Sequence, residues 1–185
     1  EWSDQIVSFL WALDVTDIFR IQVIRNDKGL ETVGISHCFV NAKGTEAYGQ
    51  TFMNESLSLR RLILIAVSFF EAFSKEKIIV IDDFGQLLHP YVLTHIVEIF
   101  HANDMESQLI VVDCNPALLQ KDLMRKDSIW FAEKGEESST EFVSLSDFRG
   151  IKAKQSIYDG YLQGIFGALP IESDFCFQNK VKENN

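Results

Sequence analysis

Basic residues are scarce in this 185-residue chain: 17 Lys and Arg stand against 27 Asp and Glu, a formal net charge of −10. So acidic a chain lacks general attraction to nucleic acid or to an anionic membrane, which argues against direct nucleic-acid binding and leaves room only for a local basic patch. Cysteines are few and far apart, at Cys38, Cys114 and Cys176, with no Cys-x-x-Cys pair. That excludes a paired-cysteine zinc site and reads as reduced thiols in a cytoplasmic protein. No apolar run reaches the roughly 20 residues of a membrane span, and the start has no signal-peptide pattern. The chain therefore carries no sign of a membrane partner. It has no internal repeats and no clear linker. It also lacks an initiator Met and opens at Glu1-Trp2, from which missing upstream residues are expected.

What is present is a globular composition. Hydrophobic residues make up 46% and aromatics 12%, with 15 Phe. This is enough for one domain with a proper core, expected over residues 1–177, followed by a polar tail, residues 178–185, expected to be disordered.

Residues 3–13 read as a short helix with Ile6, Phe9, Leu10 and Leu13 on one face and Ser3 or Asp4 as cap. Asp17 to Arg25 and Glu31 to Val40 read as strands joined by an Asn-Asp-Lys-Gly turn, an antiparallel hairpin or meander. His37 lies on the second strand, where a lone histidine is more often structural than a site residue. Asn54 to Leu62 leads into an apolar helix through Phe73, read as buried, with Asn54 or Ser56 as cap. A helix start with Ser hydroxyls and Arg60 and Arg61 nearby could take an anion. It could equally be an ordinary capped helix whose arginines face solvent.

Lys77 to Pro90 holds the most informative pattern. Ile78 to Ile81 is an apolar run with no alternation, as in a parallel strand covered on both faces. It ends in Asp82 and Asp83. Carboxylates at the carboxyl edge of such a sheet can hold a hard cation beside a phosphate, the form of a Walker B segment. A buried strand ending in a solvated acidic turn reads the same. Pro90 opens a helix over residues 91–101. Gln108 to Asp113 is a second buried strand ending in an acid, and Asn115-Pro116 begins a short helix through Leu119. Ser128 to Glu133 is a third strand, with Thr140 to Leu145 able to pair with it, and Ser156 to Gln163 is a helix. Residues 78–82, 108–113 and 128–132 are expected to be neighbouring buried strands, with Asp82, Asp83 and Asp113 gathered at their carboxyl edge.

Several longer stretches carry a resemblance. They are Glu55 to Leu62, Ile78 to Asp83, Leu88-His89-Pro90, Gln108 to Ile110, Asn115 to Leu119, Arg125 to Lys134 (Arg-x-Asp-x-Ile-Trp-Phe-x-Glu-Lys), Ser144 to Phe148 and Gly160 to Pro170. In this order, over roughly residues 52 to 171, the chain resembles the C-terminal half of the ABC/SMC-like AAA ATPases of bacterial abortive-infection and other anti-phage systems. The resemblance implies an α/β P-loop NTPase fold of ABC type. This chain would be its C-terminal portion, with a mainly parallel sheet, flanking helices and an antiparallel hairpin region at the N-terminus. It implies ATP and Mg²⁺ as cofactors of the complete protein, and a homo-oligomer formed by pairing two heads. It also brings in an effector or nuclease subunit as partner. Asp82 would hold the metal and Asp83 would be the catalytic base. Glu55, Ser56, Ser58 and Arg60 would meet the partner head's nucleotide, and His89 occupies the D-loop-like position. The family's phosphate loop, Gly-x-x-x-x-Gly-Lys-Ser/Thr, is absent from these residues, so an N-terminal half carrying it is expected elsewhere.

Three positions depart from the family pattern. Ser58 and Leu59 replace the signature Gly and Thr, and a side chain there crowds the approach to a γ-phosphate. Asp83 replaces Glu, drawing the carboxylate back by about 1.5 Å, one C–C bond. Val112-Asp113-Cys114 stands where the family has Thr-Thr-His, so Asp113 and Cys114 occupy a degenerate switch. Two readings follow: an ATPase head weak in hydrolysis, or a non-catalytic ABC-like scaffold or partner-binding module that has lost turnover.

Overall fold

The computed structural model describes residues 2–25, 27–103, 105–120, 123–135, 137, 139–149 and 156–170. The expected tail at 178–185 and Cys176 lie outside the described residues. The chain divides into two compact units, Glu1–Leu118 and Leu119–Asn185.

The first unit opens with helix α1, Trp2–Ala12, whose buried Ile6, Val7 and Leu10 form one stripe. A three-stranded antiparallel sheet follows in the order β1-β2-β3, from β1 (Ile18–Arg25), β2 (Glu31–Asn41) and β3 (Gly44–Thr51). The first two strands fall where alternation placed them. β3 was not anticipated: its sequence, Gly-Thr-Glu-Ala-Tyr-Gly-Gln-Thr, has no apolar alternation, because its first six residues are all exposed. Its backbone pairing with β2 holds it there, from Gly34 opposite Thr51 to Asn41 opposite Gly44.

Helix α2, Leu57–Lys75, is capped by the Ser56 hydroxyl, which accepts from the Leu59 amide. Leu62, Ile65, Ala66, Phe69 and Ala72 are buried along it. The helix is not buried all round, however: Leu57, Leu64 and Val67 face outward. β4 (Ile78–Ile81) and β5 (Gln108–Val111) pair in parallel through the crossover helix α3 (Pro90–His101). Phe9 of α1 meets Phe69 of α2 edge-on, and Phe69 meets Phe100 of α3, with ring centres 6.0 and 5.2 Å apart. These contacts tie the three helices into one core.

Two expectations about the sheet are corrected. The β4–β5 pair is not buried on both faces. Ile79, Ile81, Leu109 and Val111 are half-buried, whereas Ile78, Val80 and Ile110 are more than half exposed, at 61%, 67% and 51%. An unbroken apolar run cannot say which face is covered, since both faces carry the same kind of side chain. The third strand does not join this pair either. β6 (Trp130–Lys134) forms an antiparallel hairpin with β7 (Thr140–Ser144) in the second unit. Among the described residues the only parallel pairing is β4 with β5, so the sheet is not mainly parallel.

The second unit packs Leu119, Ile129, Phe131, Leu145 and Phe166 together. Phe131 stacks nearly parallel to both Tyr161 and Phe166. Helix α4, Ile157–Leu162, falls where a helix was expected and is capped by Ser156, whose hydroxyl accepts from the Asp159 amide. No described helix is long and apolar enough to cross a membrane.

Candidate functional site

The parallel register sets Ile81 beside Val111, so Asp82 and Asp113 leave the two strands at the same, carboxyl, edge. There the chain turns sharply. Asp83 adopts a left-handed conformation, φ +49°, which Asp tolerates better than most residues. The Asp82 carboxylate accepts from the Asp83 amide at 3.0 Å, and the Gln86 amide donates to the Asp83 carbonyl at 2.9 Å. Phe84 is fully buried, and its amide donates to the Val112 carbonyl, which pins the turn across to β5. Asp82 and Asp83 themselves remain exposed.

Asp113 plays a different part. Its carboxylate accepts from the Gly85 amide with one oxygen and from the Asn115 amide with the other. Gly85 is a glycine because of this close approach. A Cβ there would sit 2.7 Å from both the Asp113 carboxylate and a Leu93 methyl. Asp113 thus holds the turn through backbone donors, while Asp82 and Asp83 face outward. Among the described residues no three His, Cys, Asp or Glu side chains gather as a metal cage. The pair is still suited to Mg²⁺, which is commonly held by one or two carboxylates together with waters and phosphates. Among the described residues one Asp82 oxygen accepts a hydrogen bond, from the Asp83 amide.

The start of α2 reaches the same turn. The Ser58 hydroxyl donates to the Leu87 carbonyl at 2.8 Å. One Arg61 nitrogen donates to the carbonyls of both Asp82 and Asp83, at 2.9 and 2.7 Å. The Nε atoms of Arg60 and Arg61 are buried and have no hydrogen-bond partner among the described residues. The two arginines are therefore half-buried rather than directed freely to solvent. Glu55, one residue before the cap, is buried at 7% exposure, its carboxylate 2.8 Å from the His37 Nε2. His89 caps α3, its Nδ1 accepting from the Tyr91 amide at 3.2 Å. Cys114 is an exposed free thiol.

The structure therefore brings Asp82, Asp83, Asp113, Ser58 and the backbone around Glu55 and Ser56 into one connected corner of the first unit. Gly85 and the His37–Glu55 contact went unassigned from sequence, and Arg61, offered there as part of an anion site or as facing solvent, instead donates to the backbone of the acidic turn. The Asp-Asp-x-Gly spacing could have marked Gly85. Nothing local marks the other two, because their partners lie 18 to 22 residues away.

This arrangement can be compared with known folds. The fold is shared with an SMC ATPase. The matching chain comes from a structure described as "Structural biochemistry of ATP-driven dimerization and DNA stimulated activation of SMC ATPases". The TM-score is 0.54 at 14% sequence identity, over 77% of this chain and 82% of that one. At such identity the likeness concerns the fold alone. No family model and no curated protein matches the sequence. The likeness to the SMC ATPase agrees with the ABC/SMC-like fold expected from the motifs and does not extend to the abortive-infection type.

Proposed function

We propose that the chain is the carboxylate-bearing part of an ATP-binding head of ABC/SMC type, with residues 1–177 working as one ATPase-type domain. The observation that carries this is the acidic turn after β4. In a fold shared with an SMC ATPase, two exposed carboxylates stand at the carboxyl edge of a parallel pair, held from behind by the first turns of α2. Asp82 would hold Mg²⁺, directly or through water, and Asp83 would orient or deprotonate the attacking water. Bound there, Mg²⁺ supplies charge neutralisation on the phosphate oxygens. Asp113 fixes the turn through the Gly85 and Asn115 amides. Ser56, Ser58 and Arg60 form the edge offered to the nucleotide of a second head, with Glu55 fixing that edge from inside and His89 capping the helix that follows. Cys114 and Asp113 stand at the switch position.

The phosphate loop must then come from a segment outside residues 1–185. The open face of Ile78, Val80, Ile110 and Val112 supports this. A two-stranded parallel sheet with one apolar face in water leaves that face open to a further element, since parallel sheets are covered on both faces. A strand and helix carrying the phosphate loop would complete it. We assign the complete protein to the cytoplasm and to anti-phage defence, with an effector or nuclease subunit as its partner.

The non-catalytic scaffold is the second reading, and one observation favours it. The Ser58 hydroxyl is already committed to Leu87 within the chain, where the family presents a glycine backbone to the γ-phosphate. Equilibrium binding of ATP by the complete protein, with and without Mg²⁺, tests the ATP-binding reading. Mg²⁺-dependent binding weakened by Asp82→Ala is expected. Binding indifferent to Mg²⁺ and to Asp82 contradicts it.

A further inference from the structure

His37 sits on β2 with its side chain 4% exposed, and each ring nitrogen faces a carboxylate. Nδ1 lies 2.7 Å from an Asp17 oxygen, just ahead of β1, and Nε2 lies 2.8 Å from a Glu55 oxygen, just ahead of α2. Tyr48 of β3 stacks flat on the ring, with centres 4.8 Å apart and planes within 4°. The charged and titratable groups facing the imidazole are thus Asp17, Glu55 and the Tyr48 phenol.

A neutral imidazole has one N–H. It can satisfy one of these contacts and must turn a lone pair toward the other carboxylate at under 3 Å. The geometry therefore needs a proton in each contact, and with both carboxylates ionised the ring must be an imidazolium. Glu55 has a side chain 4% exposed, so the bond from His37 is its means of being buried as an anion. Glu55 immediately precedes Ser56, the cap of α2, and α2's Ser58 and Arg61 hold the backbone of the acidic turn.

We propose that His37 is a positioning residue: a doubly bonded imidazolium that pins Glu55, through it the first turn of α2, and through that the turn carrying Asp82 and Asp83. Its bearing on nucleotide rests on the function proposed above, but the clamp itself does not. Raising the pH removes one ring proton, breaks one of the two charge-assisted bonds and frees the start of α2 to shift.

The test is an NMR pH titration of the 185-residue chain without nucleotide. It follows the His37 ring nitrogens together with the backbone amides of residues 56–61 and 82–85. Both ring nitrogens protonated below pH 6.5, a ring midpoint above 6.5, and amide movement in both segments with that same midpoint are expected. Glu55→Gln should lower the midpoint. A ring that is neutral below pH 6.5, or a midpoint at or below it, overturns the proposal. So does a raised midpoint that leaves those amides unmoved, since His37 would then be a buried ion with no hold on the turn. Because no nucleotide is present, the clamp and the ATP-binding reading fail separately.

Discussion

Gly85 and His37 are the residues on which the corner around Asp82 depends most. Gly85→Ala would drive a methyl into the Asp113 carboxylate and into Leu93, both at 2.7 Å. Leu93 is fully buried and has little room to yield. Overpacking of this kind costs about 1–3 kcal/mol, and urea denaturation of the variant should show a loss in that range. For His37, burial is the largest single influence and disfavours its charge, but the bonds and charges of Asp17 and Glu55 together outweigh it and hold the pKa above 6.5. A group whose folded pKa is raised stabilises the fold fully below its unfolded value, and the contribution disappears as pH rises through the folded value. Stability of the chain should therefore fall as pH rises past 6.5, and His37→Gln should flatten that fall. Denaturation midpoints across this range decide it. A profile shared by both proteins would remove His37 from the account.

At the scale of elements, α2 and the β4–β5 pair carry the site. Ser56→Ala removes the cap that accepts from Leu59 and should cost about 1 kcal/mol, measurable by the same denaturation. The boundaries of α1, β1, β2, α3 and α4 were legible because periodicity, turn glycines and caps are local signals. Ser56, Pro90 and Ser156 each mark the start of a helix where the structure begins one. β3 was not legible, because an exposed strand held mainly through its backbone pairing leaves no hydrophobic pattern. The exposure of Ile78 and Val80 was not legible either, since what covers a face is decided by elements far along the chain. For Trp130 to Lys134 the hairpin with Thr140 to Ser144 was legible, because the two runs are close in sequence, whereas its absence from the β4–β5 sheet was not. Of the site, the two acids and the Ser56 cap could be read. The service of Asp113 to the Gly85 and Asn115 amides could not, because it depends on how two strands are set side by side. Replacing Val80 and Ile110 with Lys should leave the fold of residues 1–185 intact, as both side chains are mostly in water. It should abolish association with a separately produced segment bearing the phosphate loop, read by size-exclusion chromatography. Unimpaired association would place that segment elsewhere.

For the whole molecule, phosphoryl transfer is almost entirely positioning and charge neutralisation, and under the proposed function these residues would supply only the carboxylate side of it. Two acids without a phosphate loop add negative charge around a negative nucleotide. Residues 1–185 alone should therefore show no ATP hydrolysis. In the complete protein, the short Asp83 side chain is set back from the position a Glu carboxylate would reach, and a misplacement on the order of 1 Å can cost about a hundredfold in rate. Phosphate release by the complete protein and two variants is the most direct measure of whether these acids do the chemistry. The account predicts slow release, abolished by Asp82→Ala and raised by Asp83→Glu. Robust release left unchanged by Asp82→Ala would contradict it and take the acidic turn out of the mechanism.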